Sequence, residues 1–163
     1  MKKLDQIELK ARDILEQTIG DINFIEPPID LAKILEHFQL KLSIASFKDQ
    51  NVAGAFDKDQ KMIYLAKNEP PKRQLFTVAH EIGHVVLDHK KTQDVFYRHQ
   101  ASSFNGADLE EEKEANFFAA SLLIPKELVK RFWSIHKDIE LIAAYFGVSR
   151  SAAFWRLKNL RLI

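Results

Sequence analysis

Apolar residues recur at helical spacing over residues 3–19 and again over 30–38, after the break that Pro27-Pro28 imposes. The period then shortens. Residues 40–47, 52–57 and 61–66 read as strands separated by polar turn material at 48–51 and 58–60, and a small antiparallel sheet is the natural expectation. Pro70-Pro71 opens a helix expected over 71–88, because proline is tolerated in a first helical turn. Residues 89–108 carry little periodicity and read as a surface loop long enough to serve a function. Helical patterning returns over 109–123, stops at Pro125, and resumes in shorter pieces at 126–135, 138–146 and 149–160. There is no internal repeat and no low-complexity segment. The pattern predicts a single α+β domain over residues 1–163, with one sheet and helices predominating after it.

The helix over 71–88 is two-faced. Arg73, Thr77, His80, Glu81, His84 and Asp88 fall on one arc, opposite Leu75, Val78, Ala79, Ile82, Val85 and Val86. The polar arc is expected to stay open and line a cleft. Within it, residues 80–84 read His-Glu-Ile-Gly-His. Positions four apart share a helix face, so His80 and His84 can hold one metal ion, with Glu81 one step round beside a bound water.

Composition narrows the chemistry. The chain has 163 residues and no cysteine, so a disulfide framework, a thiolate nucleophile and a cysteine zinc finger are all excluded, and any metal must use His, Asp or Glu. Hydrophobic residues at 46% and charged residues at 29% fit a folded globular chain rather than a disordered one. A net charge of +1 implies no obligate nucleic-acid or membrane partner for the whole molecule. The stretch after Lys2 and Lys3 lacks an apolar core of signal-peptide length, so a cytoplasmic location is expected.

A catalytic zinc site wants three protein ligands and one open position. The extended pattern HExxHxxGxxH would need Gly at 87 and His at 90, where this chain has Leu87 and Lys90. A glutamate from a later helix is the remaining familiar solution, and residues 110–114 offer four. On a wheel of residues 109–124, Glu110, Lys113, Glu114 and Ser121 cluster on one side, while Glu112 lies opposite with Ala115, Ala119 and Leu123. A carboxylate on an apolar face is costly unless a cation compensates it, so Glu112 is the expected third ligand of Zn2+. Asn116, one turn further on the same face, is expected to hydrogen-bond a ligating histidine and fix its ring.

The stretch LFTVAHEIGHVVL at 75–87, followed by EKEANFFAASLLIP at 112–125, resembles the ImmA/IrrE family of bacterial metallopeptidases. Less specifically, the likeness extends over residues 52–66 and the tail to 163. It implies a zincin-like, gluzincin-like core, with His80, His84 and Glu112 as ligands and Glu81 as general base. Members are associated with cutting helix-turn-helix repressors in mobile elements, stress responses and antitoxin-like pairs. The resemblance therefore implies a helix-turn-helix repressor encoded nearby as protein substrate. It does not identify that substrate, and a fused DNA-binding domain present in some relatives is not recognisable upstream here.

Three finer expectations complete the reading. Zincins commonly align substrate as an added strand beside the sheet, which makes Gly54 and Ala55 a candidate docking edge; the plainer alternative is that Gly54 marks a bulge or bend. His89, Tyr97 and His99 are candidates for stabilising the oxyanion. Residues 130–163 carry a helix-turn-helix cadence with Arg150, Arg156, Lys158 and Arg161, so a DNA-binding or sensing regulator that keeps the zinc site without general proteolysis is the rival hypothesis. Against it, Ile142, Phe146, Val148 and Leu157 are what a closing helical pair needs in order to pack on a core.

Overall fold

The computed structural model describes residues 2–89, 95–97 and 106–163. In those residues the elements run α1 (Lys3–Thr18), α2 (Leu31–His37), β1 (Lys41–Ala45), β2 (Val52–Asp57), β3 (Met62–Ala66), α3 (Pro71–Val86), β4 (Val95–Tyr97), α4 (Gly106–Leu123), α5 (Lys126–His136), α6 (Ile139–Phe146) and α7 (Arg150–Asn159). The α+β class and the expected helices are all present. β4 lies inside the stretch expected to be loop. Three residues are too few to show strand alternation.

The sheet has the order β1-β3-β2-β4, and it is mixed rather than wholly antiparallel. β2 pairs antiparallel with both β3 and β4, but β1 pairs parallel with β3, Leu42 opposite Ile63 and Ile44 opposite Leu65. The reason lies in the connection. Residues 46–51 carry the chain past one vacant strand position, a sideways step of about 10 Å, before β2 starts. The tight turn at 58–60 then returns β3 into that position, pointing the same way as β1.

α3 lies against β2 and β3 on one side and along α4 on the other, and α4 in turn carries α1 on its far side. The core follows this stacking: Ile63 and Leu65 from the sheet, Val78 and Ile82 from α3, Phe118, Leu122 and Leu123 from α4, and Ile7, Ala11 and Leu15 from α1. α6 and α7 pack on each other through Ile142, Phe146, Ala153 and Leu157, all buried, and α7 reaches α4. Among the described residues, no helix is long and apolar enough to cross a membrane.

Two glycines set the close approaches that this layering needs. A Cβ at Gly54 would lie 2.7 Å from the Tyr64 carbonyl oxygen and 2.9 Å from Thr77 Cγ2, so β2 can press on α3 only where a side chain is missing. A Cβ at Gly83 would lie 3.1 Å from Phe118 and 3.2 Å from the Ala115 carbonyl oxygen. The backbones of α3 and α4 therefore come close together at Gly83, within the His-Glu-Ile-Gly-His segment itself.

Candidate metal centre

α3 presents His80 and His84 one turn apart, and α4 presents Glu112 opposite them. Glu112 Oε2 lies 3.0 Å from His80 Nε2, Glu112 Oε1 lies 3.1 Å from His84 Nε2, and the two Nε2 atoms are 2.9 Å apart. The three side chains are buried and their donor atoms converge, as those of a group able to hold a metal ion do. Tetrahedral ligation with bonds of 2.0–2.1 Å would separate ligand atoms by about 3.3 Å, close to all three distances. Burial by itself would raise the Glu112 pKa, but its hydrogen bonds to His80 and His84, and their charge, outweigh this and hold the carboxyl well below the ordinary carboxylate range.

Proton bookkeeping tests whether a cation fits. His80 Nδ1 donates to Asn116 Oδ1 at 2.9 Å, as the sequence leads one to expect of Asn116. With Nδ1 donating to Asn116, Nε2 is the ring nitrogen turned to Glu112 Oε2 at 3.0 Å, where it can hold either a proton, as in the hydrogen bond above, or a metal ion in that proton's place. The donor set, two imidazoles and one carboxylate, is one that catalytic metal sites use, zinc sites among them.

The polar arc of α3 is not open. Thr77, His80 and Glu81 are 0% exposed and His84 is 3% exposed. The wheel located the arc correctly but could not show what covers it: β2 lies against Thr77, and Asn116 of α4 against His80. Glu81, next to His80 on the helix, is thus held in a dehydrated environment.

Glu114 is likewise misplaced by a one-faced wheel. Rather than pointing to solvent it is buried, with Oε2 accepting from His89 Nε2 at 3.1 Å and Oε1 paired with Lys3 Nζ of α1. The hydrogen bond from Lys3 to Glu114, with the charges of Glu114, Glu110 and Glu111 behind it, holds the ammonium above its ordinary pKa. His89 Nδ1 lies 3.0 Å from His84 Nδ1. Ser121, read with Glu114 as outward, is buried too and donates to Glu8 of α1 at 3.2 Å. The physical reason is that α4 is sandwiched between α3 and α1, so two of its faces are interior. A signal was present in the run Phe117 to Leu123, apolar nearly all round the helix, which is the mark of a buried one.

The remaining expectations divide. Gly54 and Ala55 do not form a docking edge, since β2 is internal: Gly54 pairs with Leu65 and Phe96, and Ala55 with Tyr64 and Val95. The register shift between Val52 and Gly54 matches the plainer reading of a bulge. His89 sits behind His84, on the Nδ1 side of its ring, and so is not placed to stabilise an oxyanion at the Nε2 side. The side chain of Tyr97 and the whole of His99 lie outside the described residues. Of the four cations proposed for DNA, Arg156 is fully buried and paired through both terminal nitrogens with Glu8, at 2.8 and 2.5 Å, and Arg150 is held by Glu140 at 2.6 Å.

The comparisons agree with the geometry. Residues 35–158 match the family described as the IrrE N-terminal-like domain, a peptidase family. The chain is 35% identical over 112 residues to the radiation response metalloprotease IrrE of Deinococcus radiodurans, covering 64% of this chain and 33% of that protein. Against the protein of the same name from Deinococcus deserti it is 32% identical over 112 residues, covering 64% of this chain and 38% of the relative. The chain thus spans about a third of the length of these relatives. A Mycobacterium tuberculosis transcriptional regulator shares the fold at a TM-score of 0.72 and 18% identity, over 94% of this chain and 46% of that one. A family match over most of the chain, and a buried His80, His84 and Glu112 cluster on the elements the motif requires, lead to one conclusion: the protein belongs to the IrrE N-terminal-like domain family of peptidases.

Proposed function

We propose that this chain is a zinc-dependent endopeptidase that cleaves one specific regulatory protein, a helix-turn-helix repressor encoded nearby, in a stress response of the cytoplasm. The observation that carries the reading is the convergence of His80 Nε2, His84 Nε2 and both Glu112 oxygens in a buried cluster. In this reading the three residues hold Zn2+ and Glu81 is the general base. Support for the activity comes from the family and from two relatives named as metalloproteases; support for the stress response comes from their radiation-response names.

Bound there, zinc would supply a water acidified to a pKa of about 7 and polarise a peptide carbonyl. The protein's own contributions are positional. Asn116 accepts from His80 Nδ1 and so keeps the ring turned with Nε2 inward. Glu81, one residue along the same helix, takes the proton of the attacking water on its carboxylate and returns it to the leaving amine. Its burial keeps bulk water from competing for that proton.

Zinc-loaded protein incubated with the neighbouring repressor should cleave it at a defined bond and leave casein largely intact, with Glu81→Gln inactive on both. Efficient casein digestion would count against a dedicated substrate. Purified protein that neither contains nor takes up zinc would overturn the metal assignment.

A further inference from the structure

A hydrogen-bonded line runs from the candidate centre to the first turn of the protein, and the ligand and base roles make no use of it. It begins at His84 Nδ1, passes His89 Nδ1 at 3.0 Å, leaves His89 through Nε2 to Glu114 Oε2 at 3.1 Å, and ends where Glu114 Oε1 meets Lys3 Nζ. The side chains of His89 and Glu114 are 5% and 8% exposed, while Lys3 reaches out to solvent. Three elements contribute: α3 with the residues just after it, α4 and α1.

The direction of the donors along this line follows from its far end. The Lys3 ammonium can only donate, so it fixes Glu114 as an acceptor. Glu114 Oε2 then accepts from His89 Nε2, which places the ring proton of His89 on that nitrogen. In the neutral ring of His89 Nδ1 keeps a lone pair, and the facing His84 Nδ1 at 3.0 Å is then the donor. His84 is thereby held with Nδ1 as donor and Nε2 turned to Glu112 and His80, the orientation in which the neutral ring offers Nε2 to a metal. Asn116 sets the same tautomer for His80 from the other side. A centre with both rings orientated from outside loses less entropy when it takes up its ion.

We propose that Glu114, acting through His89, is a positioning residue that fixes the ring and tautomer of His84 for metal binding, with Lys3 of α1 anchoring the carboxylate. The inference rests on His84 being a metal ligand. It reverses what the wheel implies for Glu114, namely that its removal should be silent.

The test compares two substitutions of nearly equal size. Glu114→Gln keeps a carbonyl oxygen able to accept from His89 Nε2, whereas Glu114→Met keeps the volume and removes the acceptor. Zinc dissociation constants come from chelator competition, the His84 tautomer from ring 15N shifts of the zinc-loaded proteins, and circular dichroism checks the fold. Glu114→Met should weaken zinc binding about ten- to a hundredfold, with mixed tautomers at His84, while Glu114→Gln stays within about threefold of the parent. His89→Phe, which keeps a ring but neither nitrogen, should behave like Glu114→Met and stands in for it should that variant not fold. Unchanged affinity in Glu114→Met and His89→Phe would overturn the proposal. So would equal losses in Glu114→Met and Glu114→Gln with the His84 tautomer unaltered, since that is the behaviour of packing alone. A parent protein that binds no zinc would instead defeat the metal reading beneath it, and is distinguished at the first titration.

Discussion

Burial changes what each side chain at the centre can be expected to do when replaced. Glu81 is 0% exposed, so Glu81→Gln trades a buried carboxylate for an amide of the same size. It should keep one zinc per chain by metal analysis, while repressor cleavage falls by about two to four orders of magnitude, the worth of a positioned base. Comparable cleavage by the variant would remove Glu81 from that role. Glu112→Ala should abolish stoichiometric zinc, because it deletes the group that faces both Nε2 atoms. Asn116→Ala removes only the partner of His80 Nδ1 and should weaken zinc about ten- to a hundredfold in the same titration. A larger loss for Asn116→Ala than for Glu112→Ala would invert the assignment of ligand and support.

Between elements, the decisive contact is α3 against α4, and Gly83 makes it possible. Any Cβ there meets the backbone of Ala115, which cannot move without carrying α4, and Glu112 with it, away from the histidines. Gly83→Val should therefore destabilise the fold by about 1–3 kcal/mol through overpacking, by urea denaturation, and should weaken zinc binding in parallel. If stability alone changed, the helix spacing would not govern the centre. At Gly54 a Cβ would meet the Tyr64 carbonyl oxygen of β3 at 2.7 Å and Thr77 Cγ2 of α3 at 2.9 Å, so the same kind of substitution strains both the β2–β3 pairing and the joint between sheet and α3.

Across the whole molecule, the first and last helices are joined by one buried ion pair. Arg156 of α7 donates to both oxygens of Glu8 in α1 and, through Nε, to the Ile124 carbonyl oxygen at 2.9 Å; Ser121 of α4 also donates to Glu8. This arginine therefore closes the tertiary structure rather than meeting DNA. Arg156→Met should cost about 3–5 kcal/mol in urea denaturation, because it leaves Glu8 largely buried without its cation, and the double variant with Glu8→Leu should recover much of that loss. Unaltered stability together with weakened binding to duplex DNA would restore the regulatory reading of the helical tail.

The sequence by itself determined the parts of this protein that depend on local periodicity. An α+β chain, the helix that carries His80 and His84, the inward phase of Glu112 and the partnership of Asn116 with a histidine all follow from local periodicity, 3.6 residues per helical turn and two per strand repeat. Only the tertiary structure decided what covers each face. Glu81 and Glu114 looked solvated because a wheel assigns one interior side to a helix, whereas α4 has two and the polar arc of α3 is itself enclosed. Strand order had the same character: Gly54 read as an edge until β4 paired beside it and β3 entered next to β1. Pairing of strands and enclosure of helices depend on contacts between residues far apart in the chain, and local periodicity carries no record of them.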